Sequence, residues 1–122
     1  MTKPDKPTGK SLELITSSTN PQIKALKTLE RKKGRREQNA FLAEGARLIE
    51  EGLSHGWKPQ TVICSPDGLE RSFVADLISR AEDQGARRLL VHERLLSQIA
   101  RKDNPQTLLA TFEPRQLSLK DI

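Results

Sequence analysis

Seven lysine and arginine side chains between residues 20 and 40 have the clearest potential chemistry in this 122-residue sequence. They are Lys24, Lys27, Arg31, Lys32, Lys33, Arg35 and Arg36. Only Glu30 and Glu37 lie among them, so the positive charge is not neutralised locally. Ammonium and guanidinium groups bind phosphate oxygens, and arginine can do so through two parallel hydrogen bonds. The segment therefore indicates a surface that binds a polyanion.

The charge of the whole chain supports this interpretation. Residues 1–40 hold ten lysines and arginines against four acids, whereas residues 41–122 hold eleven against twelve. The net charge of +5 therefore arises from the first third of the chain. A one-sided positive field attracts polyanions. No basic amphipathic segment carries the bulky aromatics of a membrane-surface helix, which favours nucleic acid over membrane as the partner.

A helix with a cationic stripe is predicted to position the first three cations. Several capping oxygens and Pro21 indicate a helix start, and Gly34 is the predicted stop, so we expect a helix over residues 21–33. On a helical projection, three cations share a stripe about 60° wide: Lys24, Lys27 and Arg31. Residues 32–36 are expected to form a charged turn, with Gly34 giving the backbone the freedom to spread its cations.

Downstream of this segment, strand and helix patterns alternate. Residues 40–43 read as a short buried strand of the kind found in parallel sheets, and a helix is expected to begin after Glu44 and Gly45. Further strands are predicted at 60–64, 88–91 and 107–112, helices around 73–81 and 95–99, and a turn at 65–68. This alternation predicts a layered α/β domain with helices on both faces of the sheet. We expect a disordered tail over residues 1–12, a domain over 13–113 and a linker over 114–122.

No catalytic or metal site is predicted. The sequence lacks a glycine-rich phosphate loop and a nucleophile elbow, and its carboxylates are scattered singly. The single cysteine, Cys64, excludes an internal disulfide and is expected to be a buried thiol, while His55 and His92 are expected to be exposed or capping residues. Cysteine and two histidines are too few for a four-ligand zinc site.

The few aromatic residues predict how RNA would be recognised. The three phenylalanines are assigned to the core and Trp57 to a partly buried cap, which disfavours base stacking and favours recognition of folded RNA through shape and phosphates. No apolar run approaches the length of a membrane span, and the N-terminal residues lack the apolar core of a secretory signal, so a cytoplasmic location is expected.

Four motifs in fixed order resemble a known module. They are NPxIKxLKxL from Asn20, the basic stretch with Arg35 and Arg36, FLAEGARLIEEGL from Phe41, and residues 102–106 before LLATF. Over about residues 15–113 the chain resembles the N-terminal substrate-binding domain of the SpoU (TrmH) family of RNA ribose 2'-O-methyltransferases. From the residues alone, Glu44 and Gly45 are explained by an acid at a helix N-terminus and a tight turn.

The resemblance implies a fold and a site. The fold would be a three-layer α/β/α sandwich similar to the ribosomal proteins that bind kink-turn RNA, with a small sheet that is mostly parallel or mixed. The positions that match the family's RNA-side motifs are Lys24, Arg35, Arg36, Glu44, Gly45, Arg47, Asn104 and Gln106. Thr107 stands where the family commonly has glycine, which puts a close backbone approach at that loop in question.

The resemblance also implies what lies outside this chain. In the family, a following knotted SPOUT domain binds S-adenosylmethionine and dimerises. That domain would begin near Ile122, so we expect no cofactor here, a monomeric fragment and a homodimeric parent. The first hypothesis is thus an RNA-recognition domain for rRNA or tRNA, which is not itself an enzyme. The alternatives are a free-standing RNA- or ribosome-associated binding protein without catalysis, and a protein-interaction module with an acidic partner.

Overall fold

A mixed β-sheet forms the middle layer of the domain. The computed structural model describes residues 14–100 and 108–114, and the sheet within them has five strands. In chain order these are β1 (Leu14–Ile15), β2 (Phe41–Glu44), β3 (Lys58–Cys64), β4 (Arg87–Val91) and β5 (Leu108–Glu113). Across the sheet the order is β1-β4-β3-β5-β2. β1, β4 and β3 are parallel, and β5 runs antiparallel to both of its neighbours. The sheet is therefore mixed, one of the two forms expected.

Helices cover both faces of the sheet. The helices of the described residues are α1 (Pro21–Lys27), α2 (Lys32–Gln38), α3 (Ala46–Ser54), α4 (Pro66–Leu69), α5 (Ser72–Asp83) and α6 (Glu93–Ile99), with a 3-10 turn at Thr28–Glu30 between α1 and α2. Successive strand residues point to opposite faces. Val62 accordingly packs in a core with α3 and α5, while Ile63 packs in a second core with α1 and α6. The predicted three-layer α/β/α sandwich is confirmed.

The aromatic residues are divided between the core and the surface. Phe112 is fully buried, and the half-buried rings of Phe41 and Trp57 pack against it with centroid distances of 6.0 and 5.4 Å. Trp57 is thus the partly buried cap that the sequence predicts. Phe73, by contrast, is 55% exposed on α5, so its assignment to the core is wrong. The buried face of this amphipathic helix is formed by Val74 and the residues in register with it. Phe73 precedes Val74 by one residue, or 100° of helical rotation, and therefore faces solvent.

The predicted helix over residues 21–33 is two helices. α1 ends at Lys27, the chain tightens into the 3-10 turn, and Arg31 is extended with φ −107° and ψ 148°. Gly34 does not stop a helix but lies buried within α2, where a Cβ atom would be 2.0 Å from the carbonyl oxygen of Thr28. Because glycine has no Cβ, α2 can fold back against the turn. The expected charged turn at 32–36 is therefore helical.

Two further expectations need correction. β2 is an edge strand that pairs only with β5, antiparallel, and Ala43 is its one fully buried residue, so it is not the buried parallel strand predicted at 40–43. The predicted turn at 65–68 contains the short helix α4, which Ser65 caps by accepting a hydrogen bond from the N–H of Gly68. The predicted tail at 1–12 and most of the predicted linker lie outside the described residues.

Candidate nucleic-acid interface

Helix α1 presents two of the predicted cations. The Asn20 side chain caps the helix by accepting from the N–H of Gln22 at 2.7 Å. Lys24 is exposed on the first turns, whereas the Nζ of Lys27 donates to the Oε1 of Gln98 at 3.1 Å and so joins α1 to α6. Because the helix ends at Lys27, Arg31 lies beyond it. The three-cation stripe expected on one continuous helix is not formed.

Helix α2 presents a compact cationic face. Lys32, Lys33 and Arg36 are exposed, while Gly34 is buried. At 100° per residue, the three exposed positions lie within about 100° of one another on the outward side. Lys33 is 4.0 Å from the carboxylate of Glu37, with both side chains more than 60% exposed. A pair this open to water is weak.

Arg35 is held by the protein's own backbone. Its Nη1 donates to the carbonyl oxygen of Leu29 at 2.9 Å and to that of Glu30 at 3.1 Å. These carbonyls belong to the 3-10 turn, and 3-10 turns leave their last carbonyls without helical partners. The predicted role of Arg35 as a phosphate ligand is untested, but its geometry is that of a cap on the preceding turn.

Gln38 and Asn39, which the sequence analysis missed, also hold α2 against its neighbours. The Nε2 of Gln38 donates to the carbonyl oxygen of Ala25 at 2.8 Å and to the hydroxyl of Thr28 at 2.6 Å. Asn39, in the left-handed conformation with φ 52°, ends the helix, and its Nδ2 donates to Glu113 at 3.0 Å. Asparagine tolerates this conformation better than most residues, so Asn39 was a helix-stop signal in the sequence.

Glu44, Gly45 and Arg47 lie at the other end of β2. Gly45 is buried with φ 102°, which favours glycine, and its N–H donates to the carbonyl oxygen of Leu108 at 3.0 Å. Glu44 is half-buried as the last residue of β2, and Arg47 is exposed in the first turn of α3. The predicted structural role of Gly45 in a tight strand-to-helix turn is therefore seen.

The structure divides the predicted site between the two ends of β2. α2 precedes β2 and Gly45 follows it, and a four-residue strand is about 13 Å long. The cations of α2 and the Gly45–Arg47 turn therefore lie at opposite ends of one strand rather than in a single cluster. Asn104, Gln106 and Thr107 lie outside the described residues, so the second predicted loop stays a prediction.

The remaining candidate groups for chemistry have structural roles. Cys64 is fully buried, and this burial raises the pKa of its thiol to about 11, although the nearby Arg88 acts in the opposite direction. Nδ1 of His55 donates to the carbonyl oxygen of Glu51, and Nδ1 of His92 accepts from the N–H of Arg94. Across residues 14–100 and 108–114 no three His, Cys, Asp or Glu side chains cluster to hold a metal, and no helix has the length and apolar character needed to cross a bilayer.

The architecture is similar to part of several solved RNA methyltransferases. An rRNA methyltransferase from Sinorhizobium meliloti, solved with AdoMet bound, is 35% identical, and its match covers 92% of this chain and 40% of its own with a TM-score of 0.78. A solved RNA 2'-O ribose methyltransferase is 33% identical, with 88% and 40% covered and a TM-score of 0.75. An uncharacterised tRNA/rRNA methyltransferase of Synechocystis sp. is 31% identical over 106 residues, which are 87% of this chain and 38% of the relative. The chain thus spans about two fifths of the length of these proteins.

Residues 20–110 match the MRM3-like substrate binding domain. The chain therefore belongs to this family of methyltransferase substrate-binding domains, in agreement with the resemblance drawn from its motifs.

Proposed function

We propose that this chain is the RNA-binding domain of a methyltransferase that modifies the ribose 2'-hydroxyl of rRNA or tRNA. The observation that carries the proposal is the exposed positive charge on and between α1 and α2. Lys24, Arg31, Lys32 and Arg36 are exposed, and within the described part of the chain their side chains form no ion pair or hydrogen bond. A methyltransferase substrate-binding domain with this positively charged surface would attract a polyanionic substrate.

The mode of binding follows from which side chains are exposed. Phe41, Trp57 and Phe112 contact one another and leave no flat ring for a nucleobase. The exposed ring of Phe73 lies on α5, across the sheet from the cations of α1. Phosphate contacts position a protein on a nucleic acid without reading its sequence. The RNA is therefore recognised as a folded shape through its backbone, and sequence selection falls to other parts of the parent protein.

The methyl transfer itself is assigned to the remainder of the parent protein. There the methyl group of S-adenosylmethionine would pass to the ribose 2'-oxygen while the hydroxyl loses its proton. A nucleoside cofactor needs a concave site with several converging polar groups. The buried polar residues among those described are Ser65 and Thr111, and the Ser65 hydroxyl already accepts from Gly68. These two residues do not fit such a site.

This domain would contribute substrate positioning. Holding the target ribose near the cofactor makes the transfer effectively unimolecular, which lowers its barrier without any catalytic group in the domain. We also propose a cytoplasmic location for the protein. We expect this chain alone to be a monomer and its parent a homodimer.

The test is the salt dependence of RNA binding by this chain. Fluorescence anisotropy with labelled tRNA and rRNA hairpins should show affinity falling steeply between about 50 and 200 mM salt. Duplex DNA of equal length is the control, because it lacks the 2'-hydroxyl and the A-form groove. For the parent protein, transfer of labelled methyl from S-adenosylmethionine should protect one RNA linkage from alkaline cleavage. Equal binding of DNA and RNA, or methyl transfer to a base, would contradict the proposal.

A further inference from the structure

The outward face of α2 is a set of cations on a short, fixed helix. We name this face, formed by Lys32, Lys33 and Arg36, the basic platform. Lys32 and Arg36 are four residues apart, so their Cβ atoms are separated by roughly 6 Å. Neighbouring cations can thus contact neighbouring phosphates of one strand. Glu37 is the acid beside them, and among the described residues its ion pair is with Lys33, at 4.0 Å.

Independent contacts hold the platform in place from behind. The Cα of Gly34 sits against the Thr28 carbonyl group with no room for a side chain. Arg35 donates to the carbonyl oxygens of Leu29 and Glu30, and Gln38 donates to Ala25 and Thr28. A helix of seven residues is marginal by itself in water, so these contacts account for its order.

The chemistry of the face favours phosphate over a protein surface. Protein interfaces are anchored by aromatic or large apolar side chains in the centre of the contact. The exposed large hydrophobic residues of the described part are Leu14, Leu48 and Phe73, and none of them is on α2. A face of ammonium and guanidinium groups without an apolar anchor suits a phosphodiester backbone.

We propose that the basic platform is a prefolded binding site for consecutive phosphates of one RNA strand, and that Arg35 is a positioning residue which holds it. This inference rests on the proposed function and adds separate roles for the cations of α2. Lys32, Lys33 and Arg36 contact the RNA, whereas Arg35 acts through them. The platform lies about one strand length from the Gly45–Arg47 turn, so it holds a different part of the RNA from any bound at that turn.

The first measurement compares two variants with the same loss of charge. Lys32→Ala/Arg36→Ala removes two platform cations, and Arg71→Ala/Arg87→Ala removes two exposed cations elsewhere. Each lost phosphate contact reduces the slope of log K against log salt by about 0.7 to 0.9. We expect the platform variant to lower the slope by about 1.4 to 1.8 and the matched control to lower it by less than about 0.5.

The second measurement separates positioning from direct contact by a double-mutant cycle. If Arg35 acts through the platform, Arg35→Ala lowers RNA affinity in the wild-type background but has little further effect in Lys32→Ala/Arg36→Ala. A direct phosphate contact would give equal losses in both backgrounds. Where Arg35→Ala does not fold, Gln38→Ala loosens the same helix without changing its charge and takes its place in the cycle.

The outcomes distinguish this inference from the function on which it rests. If the wild-type chain binds RNA but the platform variant matches its control, the platform is refuted while the proposed function stands. Equal losses in both backgrounds would refute the positioning role of Arg35. If polyglutamate binds the wild-type chain more tightly than RNA of equal charge, and the platform variant loses this preference, the platform is a site for acidic proteins and the inference fails. A wild-type chain without RNA affinity would overturn both proposals.

Discussion

Replacing Gly34 by alanine tests whether α2 is held against the preceding turn. An added Cβ would lie 2.0 Å from the carbonyl oxygen of Thr28 and 2.6 Å from its carbonyl carbon, whereas ordinary contacts lie at 3.4–4 Å. The obstacle is backbone, so no side chain can rotate out of the way. The helix would have to move by more than an ångström. A shift of that size would break the hydrogen bonds of Arg35 and Gln38, which span 2.6 to 3.1 Å.

Two opposing effects decide the size of the change. Alanine in place of glycine within a helix favours folding by about 1 kcal/mol. Forcing an extra methyl group into a packed region costs typically about 1 to 3 kcal/mol, and contact with rigid backbone places this case at the upper end. The clash therefore prevails, and we expect Gly34→Ala to lower the free energy of unfolding by about 2 kcal/mol. For a domain of about 100 residues, this corresponds to a melting temperature lower by roughly 8 to 16 °C.

The assay follows Trp57 fluorescence during thermal and urea unfolding, because this single tryptophan packs half-buried against the core. Ser79→Ala at an exposed position of α5 serves as the control and should change stability by less than about 0.5 kcal/mol. Gly34→Ala should also weaken RNA binding although no charge is lost. A variant that melts several degrees above the wild type would show that helix propensity outweighs the contact and that α2 is not fixed against Thr28.

Substitutions at three other sites are tested by urea unfolding. Asn20→Ala should cost about 1 kcal/mol of stability because the Asn20 side chain caps α1 through the N–H of Gln22, while Asn20→Asp should retain it. The native Cys64 thiol has a pKa of about 11 against 9.0 ordinarily, so it stays neutral when the unfolded thiol ionises. Stability should therefore fall by about 2 to 3 kcal/mol as pH rises from 9 to 11, and Cys64→Ala should remove that component. Arg88→Met should cost about 1 kcal/mol by breaking the two half-buried hydrogen bonds to Glu82, and adding Glu82→Gln should cost little more.

Periodicity predicted the layered architecture well. The apolar spacing of residues 60–64 and 88–91 predicted the strands β3 and β4, and that of residues 73–81 predicted the helix α5. Each predicted bound of these three elements lies within two residues of the observed one. These elements form because one of their faces is buried in the core, and the spacing of the apolar residues shows which face that is.

The cationic segment was less predictable because its structure depends on contacts between α2 and the preceding 3-10 turn and helix α1. Lys32 to Arg36 carry no apolar periodicity, so Gly34 could equally be a helix stop or a packing site. Gly34 is a packing site, because it lies so close to the Thr28 carbonyl group that a Cβ atom would not fit. The edge position of β2 was also hidden, since strand order is a property of the whole sheet and not of the four residues concerned.

The role of Arg35 shows why charge alone could not define the site. Arg35 and Arg36 are adjacent and chemically identical, so the sequence gives no reason to separate them. One helical step of 100° turns Arg35 toward the carbonyl groups of Leu29 and Glu30 and leaves Arg36 facing solvent. Because a guanidinium that donates to the backbone has fewer donors left for phosphate, the two arginines should differ in experiment. Arg36→Ala should flatten the salt dependence of RNA binding at unchanged stability, and Arg35→Ala should lower the stability first.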